Sequence, residues 1–237
     1  MNALEKSHCR LEQNLPSGSP HKSLSHLHHQ EKNLKTMVIV AHPNLQGSRV
    51  NKAWVEALRR IPEVTINDLT AKYPDIQNID ILGEQALLLA HDRYVLQFPL
   101  YWYSCPAILK QWIDLVLQPG FAYAVGGNKL HGKEWMVSTS VGSTEDGYRA
   151  GGHNHFSVDE LLRPFQQTVN YTGGIYRSPF CFYRAMLVTD AEIADGTQRM
   201  LKHVLRSNIN PEREHEQFVI DSLNAIFSRA DEDATTA

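Results

Sequence analysis

The chain has 237 residues, 42% hydrophobic and 21% charged, a composition that suits one globular domain with appendages and excludes wholesale disorder. Its net charge of −3 gives no electrostatic reason for nucleic acid as a partner. Cys9, Cys105 and Cys181 form no CxxC pair, which argues for a reducing cytosol over a disulfide scaffold or zinc site, and no run of about 18 apolar residues is there to span a membrane.

Residues 1–36 lack aromatic residues, hold His8, His21, His26, His28 and His29, and carry no apolar signal-peptide core. Too little apolar surface offsets the ordering entropy, so a flexible polar extension is expected. Residues 37–41 (MVIVA) then read as a strand buried on both faces. A helix is expected over 49–60, with Val50, Trp54 and Leu58 on one face. A strand at 64–66 ends at Asp68. The next helix, over 80–91, has Asp80 as its cap. Residues 94–98 form a third strand stopped by Pro99. A helix begins at Pro106, placed in its first turn, and ends at Pro119-Gly120. A fourth strand lies at 135–139 and a helix at 158–169. The fifth strand falls within 175–182, before a helix at 190–205. Residues 211–228 read as an outer helix closing a domain that runs from 37 to 228, and 229–237 as a polar tail.

Strand and helix alternate throughout, which predicts an α/β fold with a parallel sheet covered on both faces. Neither GxGxxG nor GxxxxGK[ST] follows the first strand, so a flavodoxin-like five-stranded sheet of order 2-1-3-4-5 is preferred to a Rossmann or NTPase sheet. Ligands of such sheets bind beyond the carboxyl ends of the strands, and three loops lie there. His42 to Asn51 brings Ser48, Arg49, Val50 and Asn51 to the first turn of a helix, the place for a phosphate; an ordinary N-cap serine would look the same. Leu100, Tyr101, Trp102 and Tyr103 follow a buried strand and suit the face of a flat ring. Thr139, Ser140, Val141 and Gly142 are small residues that let backbone approach a ligand. Cys105 borders this crevice without a basic neighbour, and Cys181 reads as packing.

The strings AHPNLQGSRVN, QFPLYWYSCPAILKQWIDLVL, GFAYAVGGNKLHGK and LLRPFQQTVNYTG, in this order, resemble the flavodoxin-like NAD(P)H:quinone oxidoreductases. The likeness is to the ancillary subunits of Kef potassium-efflux systems and, more distantly, DT-diaphorase. It implies a non-covalent flavin, FMN or alternatively FAD, with NAD(P)H as hydride donor, a quinone as acceptor, a homodimer, and two-electron ping-pong chemistry. By position, His42 and Ser48 to Asn51 would hold the phosphate region, Leu100 to Tyr103 the ring, and Thr139 to Gly142 its other edge. The family has Thr-Thr-Gly-Gly where this chain has Thr139-Ser140-Val141-Gly142. Tyr148 and His153 would assist hydride transfer, with His155 as the alternative histidine, and Tyr123 would close the substrate pocket of the neighbouring subunit. The resemblance implies a cytoplasmic protein, at most peripheral to the membrane through a transporter partner. Two rival functions are a regulatory subunit docking on such a transporter and an azo- or nitro-compound reductase.

Overall fold

The computed structural model describes residues 34–206 and 218–224. Apart from residues 34–36, the polar extension expected over 1–36 lies outside the described residues, as does the tail 229–237. Of the helix expected over 211–228, residues 218–224 are described, and they are helical.

The elements follow in the order β1 (Thr36–Val40), α1 (Val50–Leu58), β2 (Val64–Asp68), α2 (Leu69–Lys72), α3 (Ile81–Ala90), β3 (Arg93–Pro99), α4 (Ala107–Val116), β4 (Glu134–Ser140), α5 (Val158–Leu161), α6 (Arg163–Tyr171), β5 (Ile175–Tyr176), β6 (Phe180–Phe182) and α7 (Asp190–Val204), with short 3-10 turns at Leu45–Gly47 and Glu145–Gly147. The strands pair in parallel in the order β2-β1-β3-β4-β5, and β6 also pairs with β4. Every residue of β1 and β3 is buried, as a parallel sheet covered on both faces requires. Alternation along β1 sends Met37 and Ile39 into a core with Leu69, Leu88, Trp112 and Phe165. Val38 and Val40 point the other way, into a core with Trp54, Leu58 and Met200 from α1 and α7. The edges of Phe180 and Phe182 meet Trp54 at centroid distances of 5.6 and 6.0 Å, each such pair being worth about 0.5–1.5 kcal/mol beyond its buried area.

Three expectations change in detail. Pro106 stands just outside α4 as its N-cap, with an extended ψ of 145°. The helix expected over 158–169 is two helices, because Pro164, in the first turn of α6, has no N–H for the carbonyl four residues back and its ring would clash there. The fifth strand is two pieces. Glu134 pairs with Ile175 but Ser138 with Phe180, so the stretch beside β4 holds one residue more than its partner, a bulge that includes Pro179.

Two buried charge clusters brace the sheet. The Glu84 carboxylate, fully buried on α3, accepts hydrogen bonds from Asn67, Lys72, Tyr73 and Trp112 at 2.6–2.8 Å. Arg93 donates to Glu134 and to the Val204 carbonyl, and Arg177 reaches the other oxygen of Glu134. Losing one partner of such a buried group costs about 3–5 kcal/mol.

Candidate functional site

All strands run the same way, so the loops after β1, β3, β4 and β6 gather along one edge of the sheet. In the loop after β1, Nδ1 of the buried His42 accepts from the Asn44 N–H at 3.0 Å. Burial holds the His42 imidazole below its ordinary value, against the opposing pull of Asp68. The ring is therefore neutral near pH 7, with its proton on Nε2, a donor. Ser48 Oγ accepts from the Asn51 N–H at 3.1 Å, which is N-cap chemistry, and its own proton stays available. Arg49 is turned aside: it donates to the Val188 carbonyl at 2.8 Å and to Asp190 at 2.6 Å. Val50 belongs to the core beneath α1.

Asn51 is also buried. Its amide donates to Ser140 Oγ at 3.0 Å, and its backbone carbonyl accepts from Gln97 Nε2 at 3.1 Å. Asn51 thus ties α1 to the ends of β3 and β4, and the structure does not place its side chain among the loop groups open to a ligand. At the end of β4, Thr139 and Ser140 are buried, as is Val141 just after it. Thr139 donates to the Phe98 carbonyl, and the Val141 N–H to the Phe182 carbonyl. Because the Val141 side chain goes into the core, it occupies no room above the sheet edge. Gly142 faces open space, with nothing within 4 Å of where a Cβ would stand.

The loop after β3 is a tight turn. Tyr101 and Ser104 exchange both backbone hydrogen bonds at 3.0 Å, and Trp102 and Tyr103 between them have φ of 48° and 61°. Positive φ at both central residues is the type I′ pattern, which favours Asn-Gly. Trp102 is 93% exposed at the tip, and the Leu100 N–H bonds to the Ser140 carbonyl at 2.9 Å. Cys105 beside it is half-buried, and burial pushes its thiol up, so it is no ready nucleophile.

Tyr148 and His153 come to the same edge. Burial, then the neighbouring Tyr103 and Cys181, push the Tyr148 hydroxyl above its ordinary value, so it keeps its proton. Tyr148 packs on Tyr183 at 6.3 Å and walls a cleft of about 450 Å³ with Val158, Asp159 and Cys181. The exposed His153 has its Nε2 2.9 Å from Ser143 Oγ and 3.2 Å from Asn154 Nδ2, while the Tyr103 hydroxyl donates to Asn154 Oδ1 at 3.2 Å. A Cβ on Gly147 would stand 2.7 Å from the His153 ring and 2.6 Å from Ser143 Oγ; glycine is what lets these groups meet. His155 is exposed with φ of 62°. Ser143 and Asn154 were not singled out from the sequence, since nothing in a one-dimensional string tells a loop serine or asparagine that holds a histidine from one that is solvated.

Tyr123 lies in the turn between α4 and β4, against Tyr171 at 5.5 Å. Gly127 packs so closely that a Cβ there would overlap the Tyr123 carbonyl, and Val125 is 99% exposed at the tip.

The donor set fits a flavin mononucleotide. His42 Nε2–H, the Ser48 hydroxyl proton and the backbone at the start of α1, apart from the Asn51 N–H already given to Ser48, offer donors of the kind a phosphate requires. Open space before Gly142 and the exposed aromatics 101–103 leave room for a flat ring. The Arg49 cation pairs with Asp190 in an exposed contact beside this set.

A family model described as having the flavodoxin-like fold matches residues 34–204, and the chain belongs to that family. Among curated proteins it is 51% identical over 178 residues to "Uncharacterized NAD(P)H oxidoreductase YdeQ" of Bacillus subtilis, covering 75% of this chain and 90% of that protein. It is 44% identical over 160 residues to the "Glutathione-regulated potassium-efflux system ancillary protein KefG" of Cronobacter sakazakii, covering 68% and 86%. Among solved structures, general stress protein 14 of Treponema denticola in complex with FMN is 40% identical, with a TM-score of 0.67 over 70% of this chain and 95% of that one. An NADPH-quinone reductase from P. pentosaceus is 32% identical, with a TM-score of 0.66 over 72% and 98%. These relatives make the chain a member of an NAD(P)H oxidoreductase and quinone reductase family with FMN-binding members.

Proposed function

We propose that this protein is an FMN-dependent NAD(P)H:quinone oxidoreductase. The observation that carries the reading is the meeting, at one sheet edge, of the His42–Ser48 donors at the start of α1, an exposed aromatic turn and the Tyr148–His153 loop. A flavin held there would supply two-electron hydride chemistry between NAD(P)H and a quinone, the two meeting the same slot in separate encounters. His42, Ser48 and the first turn of α1 bind the phosphate. The turn at 101–104 and the backbone at Gly142 orient the ring, so that two flat partners reach it in turn. Tyr148 and His153 would stabilise negative charge at the ring edge of a bound flavin. The same reading includes a homodimer, in which Tyr123 of one subunit closes the pocket of the other, and a cytoplasmic location. FAD is the alternative to FMN. Likeness to KefG supports a second reading, an ancillary subunit that docks on a membrane transporter. No helix among the described residues is long and apolar enough to cross a membrane, so such docking would run through a protein partner.

The test is a visible spectrum of the purified protein titrated with FMN, followed by stopped-flow mixing with NADPH and steady-state turnover with a quinone. Stoichiometric FMN uptake, bleaching by NADPH and parallel double-reciprocal lines are expected. A protein that takes up neither FMN nor FAD at micromolar concentration overturns the reading. Uptake without bleaching, together with co-purification with a transporter, selects the second reading.

A further inference from the structure

Nε2 of His153 faces two groups, Ser143 Oγ at 2.9 Å and the Asn154 amide nitrogen at 3.2 Å. A serine hydroxyl can donate or accept, but an amide NH₂ only donates. The other end of the same amide, Oδ1, accepts from the Tyr103 hydroxyl at 3.2 Å. This polarity pairs the better partners, because a phenol is a stronger donor than acceptor and an amide oxygen is a stronger acceptor than a phenol. The Asn154 N–H is itself fixed to the Gly147 carbonyl at 3.0 Å. Gly147 in turn has no side chain to push the imidazole off Ser143. The chain Tyr103–Asn154–His153–Ser143 therefore joins the ring-lining turn after β3 to the histidine loop after β4, across some fifty residues of sequence.

We propose that Asn154 is a positioning residue: by donating to Nε2 it locks neutral His153 in the tautomer with its proton on Nδ1, and through Tyr103 it holds that imidazole in register with the ring-lining turn. The role in the reaction rests on the oxidoreductase reading above; the tautomer lock stands or falls without it. The lock also gives Ser143 a defined part, since its hydroxyl must turn its proton toward the same lone pair or leave Asn154 as the sole donor.

The experiment uses the full chain with ¹⁵N-labelled histidine and long-range ¹H–¹⁵N correlation near pH 8, with His153 assigned by its loss in His153→Gln. His153 is expected to show a protonated Nδ1 and a bare Nε2. In Asn154→Asp the carboxylate can only accept, so the proton should move to Nε2. Retention of the backbone bond to Gly147 makes this variant the gentle one, and its fold is checked by thermal melting. In Asn154→Leu, which offers neither donor nor acceptor, a mixture of tautomers is expected. With FMN bound, flavin reduction by NADPH should slow at least about 10-fold in Asn154→Asp at unchanged FMN content, short of the ~10²-fold or more expected for losing a general acid outright. Wild-type His153 protonated on Nε2, or a tautomer unmoved in Asn154→Asp, overturns the lock. A moved tautomer with wild-type flavin reduction overturns the part in the reaction. Failure of the wild type to take up flavin strikes the oxidoreductase reading instead, and the tautomer data still decide the lock.

Discussion

Trp102 and Tyr103 hold left-handed backbone that most side chains avoid, with φ of 48° and 61°. Each costs roughly 1–2 kcal/mol relative to glycine or asparagine, and Trp102, 93% exposed, recovers almost nothing by burial. Strain of this kind persists where the surroundings impose it and function uses it. Trp102→Asn, which suits the turn, should raise the stability of the flavin-free protein by up to about 1 kcal/mol while weakening FMN binding and slowing flavin reduction. Thermal melts beside a flavin titration check both signs; a variant neither more stable nor weaker in binding removes the turn from the site. The aromatic loop, His42 and Ser48 stand out in the sequence because their chemistry is carried by residue type beside a strand end. Asn51 and Arg49 read equally well as phosphate ligands, yet one faces Ser140 inside the fold and the other Asp190. Side-chain direction depends on which loop lies opposite, and one loop's sequence does not contain that.

Capping decides the ends of several helices. Asp80 accepts from the Gly83 N–H at the start of α3, the cap expected from sequence. At α7, Thr189 and Glu192 form a reciprocal capping box, with Thr189 Oγ1 accepting from the Glu192 N–H and Glu192 accepting from the Thr189 N–H. Thr189→Ala should cost about 1 kcal/mol of stability, read by urea unfolding. The hydrogen bonds from Thr189 hold the exposed Glu192 carboxyl below its ordinary value of 4.5, as those from Ser157 do for Glu160 at α5. A carboxylate whose folded pKa is depressed stabilises the fold above its unfolded pKa and loses that contribution as the pH falls through the folded one. Stability should therefore decline below about pH 4.5, and the decline should be shallower in Glu192→Gln. An unchanged acid profile in that variant would assign the acid sensitivity to other groups. Apart from the one-turn helix α2 (Leu69–Lys72), which was not expected, the alternation of the main strands and helices was legible, since burial on both sheet faces leaves continuous apolar runs in β1 and β3. Element interruptions were less so: Pro164 splits a helix only because the preceding turn is already helical, and the break in the fifth strand shows only against the pairing of β4.

At the scale of the molecule, the turn carrying Tyr123 and the fully exposed Val125 is where a second copy is expected to meet the first. Light scattering at micromolar concentration should give a dimer, and Val125→Asp should shift it toward monomer and lower quinone turnover. A wild-type monomer would take Tyr123 out of the site. What was not legible at this scale is the internal bracing. Glu84 sat in the sequence as one helix acid among several, and only the tertiary fold brings Asn67, Lys72, Tyr73 and Trp112 to it. The broken fifth strand has a bearing on how this protein behaves in a crowded solution. An unpaired strand edge is a template on which neighbouring chains can polymerise. Beside β4 that edge offers two residues, then a bulge with Pro179, then three. A proline has no N–H to give, and a bulge throws the remaining donors out of step. Among the described residues a foreign strand finds at most three consecutive positions on this edge to zip against, so the same local irregularity that ends the sheet on this side also guards this side against fibrous growth.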